Sequence, residues 1–147
     1  MENIRTVLAF DFGLRRIGTA VGQDLTGSAR ALTTVAVRNG QVDWEAIARL
    51  VDTWQPDVFV LGRPETADGA PHPLHAAIDR FARRLHGRYG RTVSFIDERL
   101  SSHAAAADPA SASVGLDAVA ARLILESWFA TAAGQRRPDD AATDRNT

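Results

Sequence analysis

Three acidic residues stand where strands end or a helix begins, and this placement constrains the fold more than any other feature of the sequence. Asp11 follows the apolar residues 7–10, and Glu98 closely follows a run rich in β-branched and aromatic residues. Asp117 lies in the first turn of a predicted helix. Because like charges repel, carboxylates gathered in one place destabilise a fold unless a cation neutralises them. The chain is therefore predicted to collect acids from distant elements around a metal ion.

The residue types in this cluster restrict which metal could bind. The ligands would be carboxylate oxygens, and the sequence contains no cysteine that could supply a thiolate. Hard oxygen ligands favour Mg²⁺ or Mn²⁺. Two such ions about 3.5–4 Å apart can activate a water molecule and stabilise the leaving oxygen of a phosphodiester. The cluster therefore predicts metal-dependent phosphodiester hydrolysis.

Length and composition predict a single domain without membrane contact. We expect one domain over residues 1–133 of the 147, followed by a disordered polar tail over residues 134–147. No apolar stretch could span a bilayer and the N-terminus lacks the layout of a signal peptide, so a cytoplasmic protein is expected. The formal net charge is −1, but all 17 basic residues are arginine, which binds phosphate through a planar fork. The charge balance therefore does not exclude a nucleic-acid partner.

Apolar periodicity predicts the element order β-β-β-α-β-α-β-α. Strand patterns occupy residues 4–11, 17–21, 31–37, 58–61 and 92–96, with a turn signal at Asn39-Gly40 after the third. Helical spacing covers residues 44–54 with Asp43 as N-cap, a second segment that enters at residues 71–73 and stops at Gly87, and a last segment near residues 115–132. A short alanine-rich helix is expected after Ser102, with a break at Asp108-Pro109. The prediction is an α/β fold with a mixed sheet of five strands flanked by helices.

Each acid also has a purely structural interpretation. Asp11 could cap the turn that follows it, and Asp117 could complement the dipole of its helix. Asp117 nevertheless shares a helix face with Ala121, which would carry it toward the sheet. Asp97 and Glu98 point to opposite faces of their strand, so only one of them can share a site with Asp11.

Four arginines lie next to these motifs in the sequence. Arg15 and Arg16 follow Asp11, Arg63 follows the fourth strand, and Arg99 follows Glu98. Each one alone is more simply interpreted as a solvated surface residue. Together they predict a basic rim that could clamp a phosphodiester or stabilise the charge that develops on it.

Four sequence fragments carry a further signal when they are taken together. They are Leu8-Ala-Phe-Asp11-Phe-Gly13-Leu-Arg-Arg-Ile-Gly18, Gly62-Arg-Pro64, Asp97-Glu98-Arg99-Leu-Ser-Ser102 and Asp117-Ala-Val-Ala-Ala121. In this order, over most of residues 4–132, they resemble the YqgF/RuvX family of Holliday junction resolvase-like proteins. The resemblance implies an RNase H-like fold, a bacterial cytoplasmic protein, and a metal site formed by Asp11, Glu98 and Asp117.

The same resemblance implies a substrate and an assembly state. The expected activity is a nuclease that matures the 5′ end of pre-16S rRNA, with Holliday junctions or other structured DNA as the alternative. A homodimer is a further expectation, because many resolvase-like enzymes must cut two strands.

The chain departs from the family pattern at two loops. After Pro64 it reads Glu65-Thr66-Ala67-Asp68-Gly69, where members usually have an asparagine before Asp-Gly. Before the last acid it has Ala110-Ser-Ala-Ser-Val114 in place of a basic run, and Ala118 replaces a serine. These departures weaken the predicted substrate contacts and leave the three acids intact.

Two other functions fit parts of the sequence. The pattern Asp-Phe-Gly-x-x-x-x-Gly at residues 11–18 resembles the first phosphate loop of actin-like ATPases and sugar kinases. Those proteins close two lobes around a nucleotide, whereas this chain predicts one domain and has no second phosphate loop. The other alternative is a non-catalytic RNA-binding module that assists ribosome assembly through the arginine rim. It predicts RNA binding that survives both chelation and loss of Asp11.

Overall fold

The computed structural model describes residues 5–65, 68–97 and 116–131, which form a mixed sheet with helices on both faces. The strands lie in the order β4-β3-β2-β1-β5-β6. They are β1 (Thr6–Asp11), β2 (Arg16–Gln23), β3 (Ser28–Arg38), β4 (Gln41–Val42), β5 (Val58–Arg63) and β6 (Thr92–Asp97). The helices are α1 (Trp44–Trp54), α2 (His75–Tyr89) and α3 (Leu116–Phe129). The α/β class is confirmed.

The first three strands form an antiparallel meander. The turn after β1 returns the chain so that Asp11 pairs with Gly18 of β2. After β3, Asn39 and Gly40 have φ angles of 53° and 75°, the left-handed conformation that asparagine and glycine tolerate. This turn pairs Val37 with Val42 and thereby creates β4.

The sheet therefore has one strand more than the predicted five. The sequence pattern missed β4 because a strand of two residues is too short to show alternation. The prediction of a mixed sheet is confirmed, since β1 pairs antiparallel with β2 and parallel with β5.

The parallel half of the sheet brings three strand ends to one edge. β5 pairs with β1 on one side and with β6 on the other, both in parallel. Phe10 of β1 lies beside Leu61, and Arg63 lies beside Asp97. The carboxyl ends of β1, β5 and β6 therefore meet along the same edge, which also receives the turn after Asp11.

Helix α1 begins as predicted. The Asp43 side chain accepts a hydrogen bond from the Ala46 amide at 3.2 Å, which satisfies one of the free amides of the first turn. The helix ends at Gln55, whose left-handed backbone precedes Pro56.

Helix α2 extends further than predicted. It continues through Gly87 to Tyr89 and ends at Gly90, which has a φ of 66°. An internal glycine costs a helix only about 1 kcal/mol relative to alanine, and the buried side chains of Ile78, Phe81 and Leu85 outweigh that cost. Gly90 takes the left-handed backbone conformation that caps the C-terminus of α2.

The sheet divides the core into two clusters. Along β1, Leu8 and Phe10 pack with α1 and α2, whereas Val7 and Ala9 pack with α3. Within the described ranges, no helix is long and apolar enough to cross a membrane. The predicted alanine-rich helix after Ser102 and the predicted tail over residues 134–147 lie outside the described residues.

Candidate metal centre and nucleic-acid interface

Asp11 is the last residue of β1 and belongs to the face of the sheet that α3 covers. Side chains alternate along a strand, and Val7 and Ala9 of β1 pack in the cluster with α3. Asp11 continues this series and is partly buried. Its carboxylate is therefore directed to the α3 side of the sheet edge, away from α1 and α2.

Gly18 brings α3 to this point. It is the cross-strand partner of Asp11, so both residues belong to the same face. A Cβ atom at Gly18 would overlap the carbonyl group of Asp117 and would lie 2.8 Å from the Ala118 amide nitrogen. The helix backbone thus rests directly on the strand, and it can do so only because Gly18 has no side chain. Strand pairing and helix docking therefore place the backbone of Asp117 against Gly18, the strand partner of Asp11.

The buried face of α3 explains why Asp117 faces the sheet. Ala121, Ile124 and Trp128 are each at most 2% exposed and follow Asp117 at helical spacing. The indole Nε1 of Trp128 donates a hydrogen bond to Ser94 Oγ of β6 at 2.9 Å. Helix α3 is therefore held against the sheet near its start by the contact with Gly18 and near its end by the bond of Trp128.

Arg16 already neutralises part of this acidic site. Its Nε lies 2.7 Å from Asp117 Oδ2, with the two side chains 65% and 36% exposed. An ion pair this open to solvent contributes little to stability. It does show that the Asp117 carboxylate is positioned to accept a cation at the end of β1.

Strand alternation places Asp97 on one face of the sheet and Asp11 on the other. Ser94 and Ile96 of β6 face α3, because Ser94 bonds Trp128 and Ile96 belongs to the α3 cluster. Asp97 lies opposite Arg63 in the strand register of β5 and β6, and its side chain falls on the α2 side of the sheet. Asp97 and Asp11 therefore lie on opposite faces. The predicted site residues Glu98 and Arg99 lie outside the described residues.

Arg63 makes contacts that the sequence did not reveal. Its guanidinium bonds Asp79 of α2 at 3.3 Å and Glu65 at 3.1 Å, on the face opposite Asp11. Hydrogen bonding to Asp79 raises the pKa of the guanidinium, against a lowering by burial, and Glu65 raises it further. Two carboxylates thus hold Arg63 between β5 and α2.

The loop after β5 is anchored by a second contact. The His75 ring nitrogen Nε2 bonds the Pro64 carbonyl, and its Nδ1 accepts the His72 amide at 3.1 Å. With Nδ1 accepting, Nε2 is the donor, which fixes the neutral tautomer. Asp79 and His75 are positioning residues that sequence reasoning missed. In the sequence, the hint to these contacts was that both residues lie in the first two turns of the helix that follows Arg63.

Arg15 lies in the turn after Asp11 and is exposed. Its carbonyl accepts the Val37 amide at 2.9 Å, which ties this turn to β3. Arg15 and Arg16 therefore flank the Asp11 edge as predicted, one with an exposed side chain and the other paired with Asp117.

The donors at this edge fit a hard cation. Asp11 and Asp117 supply carboxylate oxygens, and the pairing of Asp117 with a guanidinium shows that positive charge is accommodated here. The described residues contain no group of three metal-binding side chains.

Comparisons with known proteins decide the family. A model of the RuvX family, described as Holliday junction resolvase, matches residues 5–131. The chain belongs to the RuvX family. A Pectobacterium atrosepticum relative is 47% identical over 132 residues, covering 85% of this chain and 95% of its own length, and is named as a candidate pre-16S rRNA nuclease. A Yersinia enterocolitica protein of the same name is 46% identical over 137 residues, covering 88% and 98%. RuvX membership confirms the predicted nuclease class.

Solved structures support the architecture of this RuvX domain. The fowlpox virus resolvase in complex with Holliday junction DNA matches with a TM-score of 0.51 and 13% identity, over 85% of this chain and 97% of that one. The fowlpox resolvase alone matches with a TM-score of 0.50 and 16% identity, over 85% and 98%. At this identity the likeness shows the fold alone, which is RNase H-like as predicted.

Proposed function

We propose that this RuvX protein is a metal-dependent nuclease whose centre is formed by Asp11, Glu98 and Asp117. The observation that carries the proposal is the contact of α3 with Gly18, which sets Asp117 beside the strand partner of Asp11. Carboxylates gathered at one edge repel each other unless positive charge is present, and Arg16 supplies part of that charge at Asp117. Glu98 is the third ligand in this proposal, because the resemblance of the Asp97-Glu98-Arg99 fragment to the family motif assigns that role to it.

The chain's own residues have separate roles in this mechanism. A bound Mg²⁺ or Mn²⁺ pair would supply an activated water and neutralise the leaving oxygen. Asp11, Glu98 and Asp117 would hold the ions, and their side chains are not nucleophiles. Arg15 and Arg16, at the same edge, bind the phosphates of the substrate strand. Arg16, which contacts Asp117 in this structure, is exposed enough to reach a substrate phosphate instead. Arg63 contacts Asp79 and Glu65, which hold it beside the loop after β5, and its contact with a substrate phosphate stays a prediction.

The proposed substrate is the precursor of 16S rRNA, cleaved toward its mature 5′ end in the cytoplasm. The relatives named as candidate pre-16S rRNA nucleases support this choice, with 46–47% identity across nearly their whole length. Holliday junctions and other branched DNA are the second candidate, favoured by the family description. Metal-carboxylate chemistry acts equally on RNA and DNA backbones. The loops around the site must therefore determine which nucleic acid is cut.

The deciding experiment is cleavage of labelled precursor RNA and of a four-way DNA junction, with Mg²⁺ or Mn²⁺, by the wild type and by Asp11→Asn. We expect cleavage to fall by at least about 10³-fold in the variant and to stop with a chelator, because the metal no longer has its full ligand set. The substrate that is cut faster identifies the class.

Binding by the variant separates catalysis from the alternative functions. Asp11→Asn should bind RNA as well as the wild type does, since an amide of the same shape replaces the carboxylate. RNA binding without any cleavage by the wild type would favour the ribosome assembly module. Stabilisation by ATP would favour the nucleotide-binding alternative. Sedimentation of the wild type with and without junction DNA tests the expected homodimer.

A further inference from the structure

A small apolar cavity opens at the same edge of the sheet as Asp11, on the α2 side. It has a volume of about 160 Å³ and lies between the turn after β1, the turn after β3, and α2. Phe12 and Phe81 form its floor, with ring centroids 5.4 Å apart. Leu14, Arg80 and Arg84 form its rim. We call these five residues the turn pocket.

Leu14 is an unusual rim residue because it is apolar and 67% exposed. Its position is fixed by the turn, since the Arg15 carbonyl accepts the Val37 amide and Gly13 packs against the Arg16 carbonyl too closely for a side chain. Leu14 therefore extends the apolar lining of the turn pocket out into solvent. Phe12 and Phe81 are 8% and 2% exposed, so the floor belongs to the core and is preformed.

The rim carries positive charge and no negative charge. Arg80 and Arg84 lie one turn apart on α2, both exposed, and none of the described residues that line the turn pocket is acidic. Among the described residues, neither arginine has a carboxylate partner. The acidic residue of α2, Asp79, pairs with Arg63 on another side of the helix. A ligand for this pocket therefore combines an apolar planar group with negative charge.

We propose that the turn pocket binds an unpaired base of single-stranded RNA or DNA, while Arg80 and Arg84 contact its flanking phosphates. Bases stack on apolar and aromatic side chains, and arginines beside them follow the backbone. Leu14 is three residues from Asp11, no more than about 11 Å along the chain. A strand that crosses this edge therefore reaches both sites. The inference deepens the proposed function by placing the substrate strand on the α2 side of the metal centre.

The test measures binding in a chelator, so that cleavage does not enter. Fluorescence anisotropy of labelled single-stranded RNA and DNA is measured with the wild type, Leu14→Ala, Arg84→Ala and Arg83→Ala. Arg83 is the matched control, because it is the neighbouring arginine of the same helix and lines a different groove with Phe95. We expect Leu14→Ala and Arg84→Ala to weaken binding about tenfold, and Arg83→Ala less than twofold.

Two further readouts identify what is bound. In a log–log plot of affinity against salt, the slope should become less negative by about 0.7 in Arg84→Ala, because one phosphate contact is lost. An abasic site in the probe should weaken binding to the wild type and not to Leu14→Ala. The RNA and DNA arms show which strand fits better.

Several results would overturn the proposal. Equal losses in Arg83→Ala and Arg84→Ala would mean diffuse attraction to α2, and so would indifference to the abasic site. Failure of the wild type to bind either single strand would also reject it. A dimer that Leu14→Ala converts to a monomer, seen by sedimentation, would assign the pocket to a second copy of the chain. If the pocket variants behave as expected while Asp11→Asn still cleaves, the proposed metal centre is rejected and the strand site stands.

Discussion

At the scale of single residues, Gly18 is the position that the candidate site depends on most. Its missing side chain lets the backbone of α3 rest on β2, and any Cβ there would overlap the Asp117 carbonyl. In the sequence, this glycine ends the pattern Asp-Phe-Gly-x-x-x-x-Gly, which resembles a phosphate loop. The structure fills the space with the protein's own helix.

Gly18→Ala should therefore damage both the site and the fold. The overlap is with backbone atoms, which cannot rotate away, so α3 must shift outward from β2. We expect unfolding free energy to fall by about 1–3 kcal/mol or more, measured by urea denaturation, and cleavage to fall further than stability explains.

Gly87→Ala is the matched control for that variant. Gly87 lies inside α2, and a Cβ there meets nothing within 4 Å. We expect a gain in unfolding free energy of about 0.5–1 kcal/mol with unchanged cleavage, because alanine restricts the unfolded chain and favours the helix. A similar loss in both variants would mean that glycine content, and not the contact with α3, determines the result.

At the scale of elements, the hydrogen bond from Trp128 to Ser94 links α3 to β6. We expect Trp128→Phe and Ser94→Ala each to lower the unfolding free energy, with a coupling of about 0.5–1.5 kcal/mol in the double-mutant cycle. Urea denaturation of the four proteins measures it. Strictly additive effects would show that the bond makes no contribution of its own.

The sequence predicted elements whose signals are local. Helix α1 was predicted with both its bounds and its cap, because Asp43, the apolar spacing and Pro56 agree. The predicted end of α2 at Gly87 was wrong, because either glycine could end a helix. Only the left-handed backbone of Gly90 shows which of them does. The placement of Asp11 at the end of β1 and of Asp117 in the first turn of α3 was predictable from the apolar run of the strand and the helical spacing. The ion pairs of Arg63 were not, because the register of α2 against β5 is set by packing across the core.

At the scale of the whole molecule, β1 contributes alternate residues to both core clusters. Neither cluster keeps its packing without this strand, so the described domain should unfold in one step. In Trp128→Phe, fluorescence reports only Trp44 and Trp54, which pack against the α1–α2 cluster, whereas far-ultraviolet circular dichroism reports all helices. We expect coincident midpoints in urea. Separate transitions would show that the two sides of the sheet unfold independently.

The docking of α3 on Gly18 also has a consequence for the nascent protein. Asp11 and Asp117 are roughly a hundred residues apart, and at about 5–20 residues per second their synthesis is separated by about 5–20 s. Throughout that interval the amino-terminal strands can pair, yet the acid carried by α3 has not been made. A polypeptide that destroys RNA while still attached to its own message would be harmful. If the proposed centre is correct, its acids come together only after α3 has left the exit tunnel.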